Sequence, residues 1–428
     1  MNVTAIIVLF VLFFITLFVG IPFAWSLLFS CIVSMCFISG MPIMTAVQKM
    51  YNGGAKYTLL AIFFFMLAGS IMQYGGISSR LVNFAKALLG HIRGGLSIAV
   101  LAVCVMFAAL SGSSIATTAA IGGMLYPELI KEGYPEGYSA ALPVSGGTLG
   151  IVIPPSIVFV VYGAATGTSV SKLLMSGVIP GLMAGVFMCI YAYFYARKHN
   201  IPKSDSFSWK RLAVTTKDAI WALLMPIIIL GGIYSGIFTP TESAAVAVVY
   251  GLIVSTFIYH EMSFKKLFNI TLGAVKGTAN ILLLIMAASL FGYVLTIYQI
   301  PTLFTSLMST FIHGRISFLL FLNLLLIILG MLMDSGAIIL ILAPLLYPMA
   351  VSFGIDPVQL GCIIVMNLAV GQATPPFGNC LFAAMPVTHQ RLGTLAKNTL
   401  PFTIIEFATV LLVSYVPIFS MLLPNMMH

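Results

Sequence analysis

Charge is what this sequence has least of. Asp, Glu, Lys and Arg make up 7% of its 428 residues, against about 25% in ordinary soluble domains. With 19 basic and 10 acidic side chains the chain cannot cover the surface of a soluble protein this large. A soluble enzyme, a nucleic-acid binder and a disordered chain are therefore excluded. No charged residue precedes Lys49. No G-x-x-x-x-G-K-[ST] phosphate loop is present, which removes ATP hydrolysis as an energy source. Cys31, Cys36, Cys104, Cys189, Cys362 and Cys380 lie at scattered spacings in apolar surroundings, with neither a disulfide nor a zinc pattern. The 6 histidines show no metal-ligand spacing. The apolar N-terminus lacks a basic n-region and an A-x-A site, so it reads as a retained membrane segment rather than a cleaved signal.

What is present is apolar: hydrophobic residues are 61% of the chain and mean hydropathy is +1.12. The solvent for most of this protein is lipid. Helices are predicted near 4–23, 25–40, 57–74, 96–110, 138–152, 157–168, 177–196, 219–237, 241–260, 278–298, 316–332, 359–373 and 403–422, several of them shorter than the roughly 20 residues a span needs. The net charge of +9 does not point to nucleic acid, because 6 of the 19 basic residues fall between Arg197 and Lys217, accompanied by Asp205. That cluster lies in the longest polar loop, expected at 197–218 and cytoplasmic by the positive-inside rule. Lys265 and Lys266 follow two spans later, on the same side. Thr239-Pro240-Thr241-Glu242 has the form of a capped helix start. Arg80, Lys86 and Arg93 read as topology and headgroup contacts.

An internal repeat is the most informative feature. At an offset of 221 residues, Leu125-Tyr126-Pro127 matches Leu346-Tyr347-Pro348, Ser114 matches Ser335, Gly133 matches Gly354, Gly150 matches Gly371, and Pro154-Pro155 matches Pro375-Pro376. His91 and Arg93 match His313 and Arg315 one residue out of step. Gly and Pro matches carry weight because these residues set backbone geometry rather than hydrophobicity. Two related halves follow, roughly 50–200 and 270–428, joined by a middle section.

Each half holds the same two parts. The first is a small, hydroxyl-rich piece, Ser111-Gly112-Ser113-Ser114 or Met333-Asp334-Ser335-Gly336, followed about a dozen residues later by a Tyr-Pro expected to stop the helix. Two short apolar arms meeting there suit a re-entrant hairpin whose tip lines a cavity. The second part is an apolar segment interrupted at Gly150-Ile151-Val152-Ile153-Pro154-Pro155-Ser156 and at Gly371-Gln372-Ala373-Thr374-Pro375-Pro376. Proline prevents helix continuation and glycine lets the chain unwind. Freed carbonyls there can replace the hydration shell of a small cation, and half-helix N-termini favour an anion. A lone Pro-Pro kink or Ser/Gly cluster is as well explained by helix packing; the pair in register points to a transporter. Asp334 is the one acidic residue in these apolar motifs, and its counterpart is Ser113. Glu406 in the final span reads as a structural pairing or interface position. Proton coupling wants buried acid or histidine relays, of which there are few, so hydroxyls and carbonyls favour sodium. An intramembrane enzyme has no activated nucleophile pair, and a channel does not call for two occluding hairpins.

At these residues the chain resembles the large membrane (M) subunit, dicarboxylate type, of tripartite ATP-independent periplasmic (TRAP) transporters. The resemblance runs nearly the full length. It is carried by Ser111-Gly112-Ser113-Ser114, the run Gly146 to Ser156, Phe238-Thr239-Pro240-Thr241-Glu242, Gly354-Ile355-Asp356-Pro357 and Gly371-Gln372-Ala373-Thr374-Pro375-Pro376. It implies an all-α polytopic protein of the bacterial inner membrane, with inverted repeats, two re-entrant hairpins and two broken helices in an ion-transporter-superfamily-like elevator fold. It also implies sodium-coupled uptake of an organic acid anion, sialic acid favoured and C4-dicarboxylate next. The expected partners are a separate small four-helix membrane (Q) subunit and a periplasmic substrate-binding (P) protein. Carried over, one Na+ would involve Ser111, Ser113, Gly150, Ile153 and Pro155, and another Asp334 or Gly336 with Gly371 and Thr374. Ile153 stands where the other half has Thr374, so the first site leans on its serines. Substrate would lie near Ser113, Ser114, Ser156 and Asn379. The chain then divides into N-terminal scaffold helices (1–56), first-repeat scaffold and arm helices (57–110), and a first transport part (111–200). A basic loop with linking helices (201–277), second-repeat scaffold and arm helices (278–331), and a second transport part with the terminal helix (332–428) complete it. Uptake without a binding protein is the alternative.

Overall fold

The computed structural model describes residues 3–201, 203, 206–309, 311–312 and 314–427. His313 and Asp205 lie outside them. Among the described residues regular structure is helical. In the first half it comprises α1 (Val3–Phe18), α2 (Phe23–Ile32), α3 (Ile43–Gly54), α4 (Leu60–Tyr74), α5 (Ile77–Leu89), α6 (Gly95–Ser111), α7 (Ser114–Lys131), α8 (Glu136–Thr148), α9 (Ile157–Thr166) and α10 (Val170–Lys198). The second half comprises α11 (Trp209–Tyr234), α12 (Pro240–Ile253), α13 (Phe264–Ile297), α14 (Ile300–Ser309), α15 (Arg315–Gly330), α16 (Ser335–Ser352), α17 (Pro357–Gln372), α18 (Asn379–Thr388), α19 (Leu392–Tyr415) and α20 (Ile418–Met426). Helices satisfy their own backbone polar groups, which lipid cannot. Among the described residues 7 helices are long and apolar enough to cross a membrane.

The repeat is visible as matched elements. The pair α6 and α7, meeting at Gly112-Ser113, corresponds to α15 and α16, which meet at 331–334. The broken helix α8/α9 corresponds to α17/α18, and the Pro154-Pro155 and Pro375-Pro376 peptide bonds are both cis. The same offset also relates elements that the residue matches in the sequence did not reach. A π-helical turn at Val33–Ile38 ends α2, and another at Val254–Ile258 ends α12. The separate helices α3 and α4 correspond to the single long α13. These elements share apolar composition but no Gly or Pro motif.

Several expectations need correction. Tyr126-Pro127 and Tyr347-Pro348 do not stop their helices: α7 continues to Lys131 and α16 to Ser352 with the prolines inside. Neighbouring helices and small local adjustments accommodate an internal proline in membrane helices. The polar loop is shorter than 197–218, because Arg197 and Lys198 form the last turn of α10 and Ser208 caps α11, which carries Lys210, Arg211 and Lys217. The final span begins at Leu392 rather than 403 and breaks near Pro417. The helices α3, α5 and α14 have no counterpart in the predicted set, being short and amphipathic; α18 is the second half-helix expected after the Pro375-Pro376 break.

The broken helices occupy the centre. Every residue from Tyr138 to Thr148 in α8 and from Val358 to Gln372 in α17 is buried, as helices apolar on all sides must be. At the periphery α1 and α2 pack on α13, with Phe10 edge-on to Phe291 at 6.4 Å. Phe18, Phe37 and Trp209 are exposed.

Candidate functional site

Each hairpin tip sits on a helix break. At the first, α6 ends at Ser111 and Gly112 adopts φ +62°, a conformation L side chains rarely take. A Cβ on Gly112 would lie 2.4 Å from the Pro155 carbonyl oxygen, and one on Gly150 would lie 2.6 Å from the Ser113 oxygen. Backbone meets backbone there, which is why both positions are glycine. The second pair repeats this contact: a Cβ on Gly371 would lie 2.5 Å from the Gly330 carbonyl carbon, and Phe377 N donates to Met331 O at 3.0 Å.

At both breaks the backbone has oxygens to spare. Ser156 Oγ donates to Ile151 O at 2.5 Å. Among the described residues no hydrogen bond reaches the carbonyls of Val152, Ile153, Pro154 or Pro155, or those of Thr374, Pro375 and Pro376. The hydroxyls around the first tip are tied into a small network. Thr117 Oγ1 donates to Ser113 O at 2.8 Å, Ser111 Oγ lies 2.9 Å from Thr117 Oγ1, and Ser113 Oγ accepts from Ala116 N at 3.4 Å. At the second tip Asp334 Oδ1 accepts from Gly336 N at 2.9 Å, capping α16. Thr374 Oγ1 donates to Val370 O at 2.7 Å, leaving its lone pairs available.

Both tips line one cavity of about 280 Å³. Ser111, Gly112, Ser113 and Ser114 face it from the first tip and Asp334, Ser335 and Gly336 from the second, with Met66, Ser70 and Gln73 of α4 and Ile281 and Leu284 of α13 opposite. The N-terminal turns of α7, α9 and α16 all reach it, so three positive dipole ends bear on one space. Asp334 is the only charged residue of the lining. Of the residues expected from sequence, Ser111, Ser113, Ser114, Asp334 and Gly336 line the cavity. Gly150, Ile153, Pro155, Gly371 and Thr374 lie behind the tips at the breaks, outside the lining. Ser156 is fully buried as the cap of α9, its Oγ accepting from Phe159 N at 3.4 Å, and Asn379 begins α18 away from the cavity wall.

Gln372 is the residue that sequence reasoning passed over. Its Oε1 accepts from Ser114 Oγ, its Nε2 donates to Ser335 Oγ at 2.7 Å, and Cys380 Sγ lies 3.6 Å from Oε1. One side chain thus joins the two serines that the repeat makes equivalent. The signal was available: a carboxamide within an otherwise apolar and Gly/Pro motif, where its counterpart is Ile151.

Comparison with known proteins shows the family. The family model "Tripartite ATP-independent periplasmic transporter, DctM component" matches residues 10–419. The C4-dicarboxylate TRAP transporter large permease protein DctM of Pseudomonas aeruginosa is 45% identical over 377 residues, 88% of each chain. The sialic acid TRAP transporter large permease protein SiaM of Vibrio cholerae is 34% identical over 410 residues, 96% of each. The crystal structure of the YdaH transporter from Alcanivorax borkumensis, described as having an unusual topology, aligns with TM-score 0.64 at 14% identity over 90% of this chain and 87% of that one; that likeness concerns the fold alone. A membrane protein whose two hairpin tips line one cavity, matched by the family model over residues 10–419, belongs to the DctM family of TRAP transporter large permeases.

Proposed function

We propose that this permease carries a small organic acid anion, a C4-dicarboxylate before a sialic acid, inward with sodium. The observation that carries the reading is the charge balance of the cavity. Three helix N-termini favour an anion there, yet the only charged lining residue is Asp334. An anionic substrate beside Asp334 is repelled unless cations accompany it. The free carbonyls behind each tip, with the hydroxyls of Ser111, Ser113 and Thr374, supply oxygen ligands of the kind that hold sodium at interrupted membrane helices. One ion would take Ser111, Ser113, Gly150, Ile153 and Pro155. The other would take Gly371 and Thr374 with Asp334 or Gly336. Entry of each positive charge is driven by about 2.3 kcal/mol per 100 mV of membrane potential.

The dicarboxylate preference is supported by the C4-dicarboxylate permease at 45% identity, against 34% for the sialic acid permease. A small membrane subunit and a periplasmic binding protein would complete the tripartite system in a bacterial inner membrane. The hairpins and breaks would move together past the remaining helices as an elevator. The test is uptake into proteoliposomes holding the permease with its two partners. Succinate should accumulate under an inward sodium gradient, and Ser113→Ala and Thr374→Ala should each weaken the sodium dependence. Equal accumulation with potassium in place of sodium, or unaltered sodium dependence in both variants, would overturn the reading.

A further inference from the structure

Glu406 is not used by the mechanism above. It lies well inside α19, nine residues before Tyr415, and is 1% exposed. Neither carboxyl oxygen has a hydrogen-bond partner. The ion pairs among the described residues are Arg80–Glu261 and Lys86–Glu128, both elsewhere. No counter-charge faces it from the helices packed on α19. The charged residues of those helices are Glu136 of α8, Lys172, Arg197 and Lys198 of α10, and Arg315 of α15, all in terminal turns; α17, α18 and α20 carry none. Lys397 of α19 itself is more than two turns away. The other titratable side chains of these helices are Tyr138 on α8, Tyr191, Tyr193, Tyr195 and Cys189 on α10, Cys362 on α17 and Cys380 on α18, types that ordinarily carry no charge at neutral pH.

The Thr148 hydroxyl at the end of α8 and the Cys380 thiol of α18 stand on helices that pack against α19 beside Glu406. Thr148 Oγ1 already donates its proton to Ser145 O at 2.6 Å, so toward Glu406 it can only accept. A hydrogen bond between them requires the proton to be on Glu406. Thr148 also ends α8, and a helix C-terminus disfavours a carboxylate. An unpaired charge at such depth is costly.

We propose that Glu406 is a proton-binding site. It is a neutral carboxyl in this conformation, packed with α8 under the first helix break and linked to the first sodium site. Thr148 precedes Gly150 by two residues, so a cation held by the Gly150–Pro155 carbonyls favours the ionised form of Glu406. Sodium and the proton therefore oppose each other. Cys380, on the neighbouring α18, leads on to Gln372, Ser114 and Ser335, so polar groups run from the helices around Glu406 to both hairpin tips. The linkage rests on the sodium reading above; the proton itself does not.

The experiment is infrared spectroscopy of the full chain in lipid, with sodium titrations at several pH values. Wild type should show the carbonyl stretch of a buried protonated carboxyl, absent in Glu406→Gln. Thr148→Val should move that band to higher frequency. Sodium affinity should rise by about fivefold or more from acid to alkaline pH in wild type and stay flat in Glu406→Gln. Identical spectra for wild type and Glu406→Gln would overturn the proton site. A band unmoved by Thr148→Val would overturn Thr148 as its partner. A pH-independent sodium affinity in wild type would overturn the linkage. If no variant binds sodium while the band is present, the sodium reading has failed and the proton site stands.

Discussion

The backbone contact between Gly150 and the first hairpin tip gives a sharp prediction. In Gly150→Ala the new Cβ would lie 2.6 Å from the Ser113 carbonyl oxygen, 2.7 Å from its carbon and 2.8 Å from Ser114 N. Comfortable separations are about 3.5–4.0 Å, so the tip must withdraw by roughly 1 Å. The atoms in the way are backbone, and no side chain can rotate to relieve them. Overpacking of this kind costs about 1–3 kcal/mol. The docked tip is the state that presents Ser113 to the free carbonyls, so the cost falls on cation binding. At 1.4 kcal/mol per factor of ten, half-activating sodium should rise by about fivefold to a hundredfold. Gly273→Ala is the matched control: it lies within α13 with nothing within 4 Å of its Cβ and should change little beyond a helix gain of up to about 1 kcal/mol. The assay is sodium activation of succinate uptake at saturating substrate. Gly150→Ala activating like Gly273→Ala would refute the docked tip.

Three further outcomes follow from the same geometry. Gln372→Leu removes the hydrogen bonds to Ser114 and Ser335; at about 0.6–1.7 kcal/mol for each interhelical bond in a membrane, apparent substrate affinity should fall roughly tenfold, and an unchanged value argues against Gln372 as the link between tips. Asp334→Asn removes the only charge lining the cavity, so substrate binding should depend less steeply on sodium, measured by calorimetry across sodium concentrations. Thr239→Ala breaks the capping box in which Glu242 Oε2 accepts from Thr239 N at 2.8 Å and Thr239 Oγ1 accepts from Glu242 N at 3.3 Å; this should cost about 1 kcal/mol, visible in thermal unfolding, with sodium activation intact.

Much of the site was legible because glycine and proline report backbone geometry directly. Gly150, Gly371 and the two diprolines mark the breaks without ambiguity, and Ser111–Ser114 marks a tip. Tyr126-Pro127 misled for the opposite reason: within a membrane helix proline is a local disturbance that neighbours absorb, so the stop it predicts does not occur. The outer extent of the repeat was hidden because α2 and α12 share only apolar character and a π-helical ending that no residue type announces. Gln372 was hidden because its importance lies in which two side chains it reaches, and Ser114 and Ser335 are 221 residues apart. Ser156 and Asn379 show the converse: their motif position is right for a polar role, but each is spent at the start of a half-helix, outside the cavity lining.

The central claim is that each hairpin tip and the helix break beneath it form a sodium site. Electron cryomicroscopy of the permease with its membrane partner, in sodium chloride and in choline chloride, tests it most directly. Density should stand in sodium alone, once among Ser111, Ser113 and the 150–155 carbonyls and once among Thr374, Gly371 and the 334–336 tip. Identical maps in the two salts, from protein that still takes up substrate only with sodium, would contradict it.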